Sequence, residues 1–492
     1  MILGRGKIKL NNQDTEMRSS SSDNQKTKAL LLGTIIYGIG SFGTKFLSFL
    51  IVPLYTYFIM PEELGDYDLL VTTVSLVSPL LTLKISDAAY RWIIKNKENQ
   101  VPYISATYKL LLRNCLFCAL FLSVINFFIP VWNCYYFILI LIGDRILECL
   151  QKLLRGVKNQ KLFAISGIFH TTIMVGLNVV KVCYLKQGVV ALLQSSVISL
   201  YATILLVLLC EKRLRTVDFK PNYKQQQHEM LRYSAPLVPS TLGWWVMSAS
   251  DRYVIRWMLG SAANGIYSVA YKFPTILQTI FTMFNSAWTD MALAQLSKGE
   301  KSEEYTKQVF QQLFKISFGM VFVLIPFTKI FMKIVLSERY EEAAIYVGFL
   351  YLGTVFQGFS SFVSIGYLQG KKTKGAATTS IYGAIVNLCV DLFCMKFIGL
   401  FAAGISTFLG FFVMWLTRMR DIKKVFPIKV NCPLFILYLL VGIALAIITI
   451  WSSTQIDIIL TGIACVFFLI DNRKVVVTIG QKISRKRGAK RR

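Results

Sequence analysis

Long apolar stretches separated by short polar ones dominate the chain from residue 29 onward. A helix crosses the hydrocarbon core of a bilayer with about 20 mainly apolar residues. Fourteen such stretches can be placed, at 29–59, 67–90, 108–130, 134–154, 162–184, 189–210, 233–258, 265–294, 308–328, 343–368, 376–395, 399–417, 433–451 and 456–471. The pattern predicts an all-α polytopic membrane protein with about fourteen transmembrane helices. The first 28 residues are polar and include Ser19 to Ser22, so they read as a disordered cytoplasmic tail and not as a secretory signal.

Transporter folds are often built from two related halves. Pro61-Glu-Glu-Leu-Gly65-Asp-Tyr67 after the first stretch recurs as Ser261-Ala-Ala-Asn-Gly265-Ile-Tyr267 after the seventh, displaced by 200 residues. Gly188-Val-Val-Ala191 similarly matches Gly399-Leu-Phe-Ala402, and Leu154-Arg-Gly156 matches Leu368-Gln-Gly370. Three equivalences in one order predict two parallel six-helix lobes, 29–210 and 233–417, joined by a cytoplasmic linker at 211–232. Helices 13 and 14 (418–471) and a basic cytoplasmic tail (472–492) lie outside the repeat. Gly38, Gly40, Gly43, Pro53 and Pro79 in the first lobe, and Pro236, Pro239, Gly243 and Pro274 in the second, mark either packing kinks or hinges.

Composition agrees with this pattern and narrows the function. Of 492 residues 54% are hydrophobic and 16% charged, with mean hydropathy +0.54, which excludes an ordinary soluble enzyme. Two His and no HExxH, GxxxxGK[ST] or GxSxG pattern leave zinc hydrolysis and nucleotide-driven pumping without their usual ligands. The ten Cys are scattered, and Cys115 with Cys118 read as core residues. The net charge of +28 is mostly topological. With the N-terminus inside, about 40 basic residues fall in cytoplasmic segments and about five outside, so both termini are expected in the cytoplasm of an inner cell membrane. The tail Arg485–Arg492 suits anionic lipid better than nucleic acid.

Cations left inside the spans carry more information, because each costs roughly 2.5–3.5 kcal/mol at mid-depth. Lys45 and Lys272 have no carboxylate at helical spacing. Lys84, Asp87 and Arg91 share one helix face, and Arg252 and Arg256 are one turn apart. Asp144, Arg145 and Glu148 form a self-neutralising cluster. The abundant aromatics are expected at the lipid and interfacial surfaces.

Several runs carry a resemblance. In the first lobe they are Phe49-Leu-Ile-Val-Pro-Leu-Tyr-Thr56, Leu64-Gly-Asp-Tyr67 and Ser78-Pro-Leu-Leu-Thr-Leu83. The second lobe adds Ala235-Pro-Leu-Val-Pro239, Ser250-Asp-Arg252-Tyr, Gly265-Ile-Tyr-Ser-Val-Ala-Tyr-Lys272 and Ala287-Trp288. The chain resembles the flippases for O-antigen, capsule or exopolysaccharide repeat units, in the superfamily that also holds the lipid II flippase and multidrug exporters. The resemblance implies a V between two lobes, a cationic central cavity lined by spans 1, 2, 7 and 8, and transport of a polyprenyl-diphosphate-linked oligosaccharide without covalent chemistry. It implies a monomer working beside a glycan polymerase and glycosyltransferases. Lys45, Arg91, Arg252 and Lys272 are the expected substrate-binding residues, since buried cations lower the barrier for a diphosphate.

Asn387 and Asp391, at i and i+4, and Thr407 on the next span offer oxygens to a monovalent cation, with the carbonyl near Ala403 as a further ligand. The spacing resembles the sodium site of the lipid II flippase, except that an acid early in span 7 is replaced here by Ser234 or Ser240. Sodium coupling, proton coupling through Asp391 and a structural Asp391 all remain open, and no other cofactor is expected. The rival functions are a cation-coupled multidrug exporter and a membrane glycan polymerase.

Overall fold

The computed structural model describes residues 43–96, 98–130, 132–218, 223–297, 303–369, 373–423, 430–473 and 477, and among them every element is a helix and none a strand. The polar first 28 residues, the start of the first stretch and the run Arg485–Arg492 lie outside the described residues. Among the described residues each of the fourteen apolar stretches contributes helix, whole or broken, and ten helices are long and apolar enough to cross a membrane. The other four fall short for visible reasons. The first is described only from residue 43, Cys134–Gly156 carries Asp144, Arg145, Glu148 and Lys152, the seventh is divided, and Ser261–Ser297 is interrupted by Asn264, Lys272, Gln278 and Asn285.

In chain order the first lobe holds α1 (Val52–Phe58), α2 (Pro61–Thr82), α3 (Ile85–Lys95), α4 (Val101–Phe128), α5 (Cys134–Gly156), α6 (Gln160–Asn178) and α7 (Gly188–Cys210). After the linker helix α8 (Lys224–Ser234) come α9 (Val238–Ala249), α10 (Asp251–Met258), α11 (Ser261–Ser297), α12 (Glu303–Val335), α13 (Ala343–Val363), α14 (Ile365–Gln369), α15 (Thr373–Ile398) and α16 (Phe401–Asp421). The last two are α17 (Cys432–Trp451) and α18 (Thr454–Asp471).

Two boundaries differ from the sequence pattern in ways that matter for function. The second stretch, expected over 67–90, starts at Pro61, whose fixed φ and missing N–H suit a first helical position, with Glu62 and Glu63 favourable at the positive helix end. It then breaks at Leu83 and Lys84, both left-handed (φ 47° and 56°), before α3 begins. The seventh stretch breaks twice. Pro236 sits in a tight turn over Ala235–Leu237, and Ser250 separates α9 from α10.

Two hydrophobic cores organise the bundle. One is made wholly of residues from Leu70 to Met230, the other mainly of residues from Met247 to Ala464. At the centre of the second lies α13; the apolar span Ala343–Tyr367 is 89% buried, whereas that of α18 is 11% buried and faces lipid. The aromatics divide accordingly. Phe127, Phe397 and Trp451 are exposed as expected, but Phe318, Phe356, Phe359 and Phe362 are fully buried and pack in tilted and edge-to-face contacts in the second core with Phe310 and Trp415. A lipid-facing reading of the aromatics is therefore corrected for this group, because α13 is enclosed by other helices.

The internal repeat is visible as geometry. Gly188 and Gly399 share a left-handed backbone (φ 58° and 56°) at equivalent places. More tellingly, α2 and α11 cross with their backbones touching: a Cβ on Gly65 would collide with the carbonyl oxygen of Ser261, and one on Gly265 with that of Pro61. Pro61 and Ser261, like Gly65 and Gly265, are equivalents at an offset of 200. The contact is thus reciprocal, as at a two-fold axis, and only glycine permits it. Asn264 Nδ2 closes it with a 2.7 Å hydrogen bond to the Gly65 carbonyl.

Gly265→Val is expected to force this crossing apart. With the native cysteines replaced and Thr73→Cys introduced beneath the crossing, maleimide labelling of the purified protein should become several-fold faster in the valine variant. An unchanged rate would show that the crossing tolerates the added bulk.

Candidate functional site

Polar contacts between the lobes cluster at the end where α2 and α11 cross. The Arg252 side chain, only 7% exposed, donates from Nε to Asp68 Oδ2 at 2.7 Å and from Nη1 to the Ser248 carbonyl at 3.1 Å, with its guanidinium 4.5 Å from the centre of the Tyr271 ring. One turn on, Arg256 Nε reaches Asp66 at 3.1 Å, and the Ser261 hydroxyl donates to the same carboxylate oxygen at 2.5 Å. Farther along the same seam the Thr73 and Tyr253 hydroxyls are 2.6 Å apart, and Trp245 Nε1 donates to Ser75 at 2.9 Å. This end is closed. Arg252, expected at the substrate, is instead committed to a carboxylate of the opposite lobe.

Below the seam, Phe49 and Phe273 meet edge to face with ring centres 5.1 Å apart. Phe49 lies one turn from Lys45 and Phe273 is next to Lys272, so this contact between the lobes brings the two lysines near enough for their charges to repel. Both residues expose surface, while the Lys45 ammonium lies deeper among protein atoms. Neither has a hydrogen-bond or ion-pair partner among the described residues. Two like charges facing one space, without a counter-charge, make that space electropositive.

Arg91 is not part of this pair. It stands on α3 at the opposite, basic end of the bundle, exposed, with its guanidinium 4.5 Å from the ring centre of Tyr233 on the linker helix. Its sequence neighbours Lys84 and Asp87 join a different network. Lys84 pairs with Asp87 at 2.9 Å, Lys152 with Asp87 and with Glu148 (3.1 Å), and Arg145 with both Asp144 and Glu148. Three cations meet three carboxylates, so the network neutralises itself, as the i, i+1, i+4 spacing implied for its α5 members.

A second buried constellation gathers around α15. Asp391 and Asn387 are fully buried, and the Asn387 amide donates to Ser406 Oγ at 3.1 Å while its oxygen faces the Ser250 hydroxyl at 3.4 Å. Thr407 donates to Asp251 Oδ2 at 3.1 Å, and Tyr267 donates to the same oxygen. The three residues picked from sequence therefore lie around one pocket. The seventh stretch has Ser234 and Ser240 early, as its sequence shows, but supplies an acid late, as Asp251 beside Ser250. One expectation is corrected: the carbonyl of Ala403 is no free ligand, since α16 runs unbroken through it and it accepts the Ser406 hydroxyl at 2.9 Å.

Oδ1 of Asp251 and both oxygens of Asp391 lack a well-formed hydrogen bond, since the Ser406 hydroxyl near Asp391 donates to the Ala403 carbonyl, and the two carboxylates feel each other's charge. Isolated buried carboxylates are costly by several kcal/mol each. The charges run in series as Asp391, Asp251, Arg252 and Asp68, three negative against one positive. Unpaired carboxylate oxygens, the Asn387 amide oxygen and hydroxyls are the ligand set of a hard monovalent cation, and the same deficit is met by protons. No group of three or more His, Cys, Asp or Glu side chains suited to a metal occurs among the described residues.

Sequence reasoning missed Asp68 and Asp251. The available signal was their setting, Gly65-Asp-Tyr-Asp68 at the repeat glycine and Asp251-Arg252 at a helix break.

A family model described as polysaccharide biosynthesis protein matches residues 30–290. Among solved structures, an inward-facing multidrug resistance MATE family transporter of the MOP superfamily is similar at TM-score 0.64 and 15% identity, over 77% of this chain and 95% of that one. The lipid II flippase MurJ in an inward closed conformation is similar at TM-score 0.64 and 14% identity, over 90% of this chain and 100% of that one. An uncharacterized membrane protein of Methanocaldococcus jannaschii, MJ1068, is 25% identical over 179 residues, 36% of this chain and only 34% of that protein's length. With more than half of its length matched by one family model, and with an all-helical two-lobe membrane fold, the chain belongs to the polysaccharide biosynthesis protein family.

Proposed function

We propose that the protein is a flippase that moves polyprenyl-diphosphate-linked oligosaccharide repeat units from the cytoplasmic to the outer leaflet for surface polysaccharide synthesis. The observation that carries this reading is the partnerless Lys45–Lys272 pair facing across the interlobe space. A diphosphate between the two ammonium groups relieves their repulsion and gives the substrate's charge a counter-charge inside the membrane. With the basic loops read as cytoplasmic by the positive-inside bias, the open end faces the cytoplasm, the seam closed at Arg252–Asp68 is the outer one, and the arrangement fits a conformation ready to load.

Coupling follows from the series of charges. A cation or proton entering between Asp251 and Asp391 removes the excess negative charge next to Arg252, and Arg252 is the group that binds the opposite lobe through Asp68. Occupancy of the acid pocket thereby biases whether the outer seam holds, which is the differential interaction that alternating access requires. No covalent step is needed, and the chain acts as a transporter and not an enzyme. A cationic-drug exporter is disfavoured by the same lysine pair, which repels such cargo.

Lys45→Ala and Lys272→Ala are each expected to slow flipping of a lipid-linked oligosaccharide in proteoliposomes by about tenfold or more, the factor that about 1.4 kcal/mol of lost anion stabilisation represents. Full activity of the double variant would remove the anion site from the mechanism. In the same vesicles, replacing sodium by choline at a fixed proton gradient identifies the coupling ion. Asp391→Asn should abolish whichever ion dependence the parent displays, and an active, ion-insensitive parent matched by this variant would make Asp391 structural.

A further inference from the structure

On the second lobe's side of the interlobe space, nearer the open end than Lys272, α11, α13 with Ser364, and Trp244 of α9 line an open cleft of about 360 Å³, and among the described residues no ionisable side chain takes part in its lining. Its chemistry is unusual for a wall within a membrane, where polar groups are expensive and mark function. Gln278 of α11 donates to Gln357 of α13 at 2.8 Å, which holds the two amides together and leaves further N–H groups and a carbonyl oxygen unused. The hydroxyls of Thr282, Ser286 and Ser361 give their protons to the carbonyls one turn earlier on their own helices, at 2.9, 2.8 and 3.0 Å. Their oxygens are then acceptors. Asn285 Oδ1 is buried with no donor at all.

A wall rich in acceptors and free of charge selects its occupant. A diphosphate brings no protons and is itself an acceptor, so it belongs at the lysines. A lipid chain leaves the amides unpaired, and an organic cation meets no carboxylate. A neutral molecule dense in hydroxyl donors satisfies the wall. Trp244 and Phe281 add flat apolar faces, on which the C–H face of a pyranose packs. The Trp244 indole is fixed from behind by buried Arg418, whose guanidinium lies 5.6 Å from its ring centre and is itself held by the Ser360 carbonyl (2.8 Å) and the Ser380 hydroxyl (3.0 Å).

We propose that this cavity is a saccharide subsite that binds neutral sugar units of the substrate through Gln278, Gln357, Asn285 and Trp244 while Lys45 and Lys272 hold the diphosphate. The proposal rests on the flippase reading and assigns its recognition of glycan to one lobe.

Two probes separate the two ideas: farnesyl diphosphate, and the same lipid diphosphate bearing one N-acetylglucosamine, titrated against the purified full chain. The sugar is expected to tighten binding to the parent by about tenfold, the yield of one or two net hydrogen bonds. Gln278→Leu and Gln357→Leu should lose most of that increment and bind the bare probe as the parent does. Thr282→Val with Ser286→Ala, which leaves the glutamine bridge intact, should lose part of it. Lys45→Ala should weaken both probes alike. Equal affinity of the parent for both probes, retention of the increment in these variants, or equal weakening of both probes by the glutamine variants would overturn the subsite. Failure of the parent to bind the bare lipid diphosphate would instead overturn the flippase reading.

Discussion

One ion pair, Arg252 with Asp68, is buried where the two lobes meet, and its geometry constrains everything around it. An ion pair in a low-dielectric interior is hard to break by removing one partner, at about 3–5 kcal/mol, because the remaining charge is stranded. The pair forms because α2 and α11 approach to backbone contact through Gly65 and Gly265, which brings Asp66 and Asp68 within reach of Arg256 and Arg252. Two helices that touch at one end and diverge beyond it leave a wedge at the other. The exposed lysines and the amide-lined cavity both sit in that wedge.

The cations of the spans thus do three different jobs. Lys84, Arg145 and Lys152 neutralise carboxylates of their own lobe, Arg252 and Arg256 join one lobe to the other, and Lys45 with Lys272 face open space. What links the last two groups to ion binding is chain continuity. Asp251 belongs to the buried acid pocket and Arg252 to the seam, so a rearrangement at one cannot leave the other untouched. Ser250, just ahead of both residues, joins α9 to α10 with helical dihedrals but long backbone hydrogen bonds of 3.3 Å on either side, Ser250 N to Val246 O and Val254 N to Ser250 O.

Much of the fold was legible in the sequence, because crossing a bilayer demands long apolar stretches and the positive-inside bias fixes their parity. The repeat was legible too, through Gly-x-Tyr at an offset of 200, whose physical meaning is the reciprocal contact. The Asn387, Asp391 and Thr407 constellation could be read because i, i+4 spacing fixes a helix face. Pairings across the lobes could not. Asp68 and Arg252 are 184 residues apart, and no local pattern says which carboxylate an in-span arginine will find. Asp251 was hidden for the same reason, since its partners Tyr267 and Thr407 come from two other helices. The Leu83–Lys84 break gave no signal either, because neither residue favours a left-handed backbone.

The dependence of the closed end on the buried ion pair is measured most directly as an interlobe distance. Spin labels at Tyr57 and Trp257, both exposed at that end and on opposite lobes, report it by double electron–electron resonance. Asp68→Asn should shift the distribution to longer distances, and the charge reversal Asp68→Arg with Arg252→Asp should bring it back toward the parent. A distribution unchanged by Asp68→Asn would contradict the account.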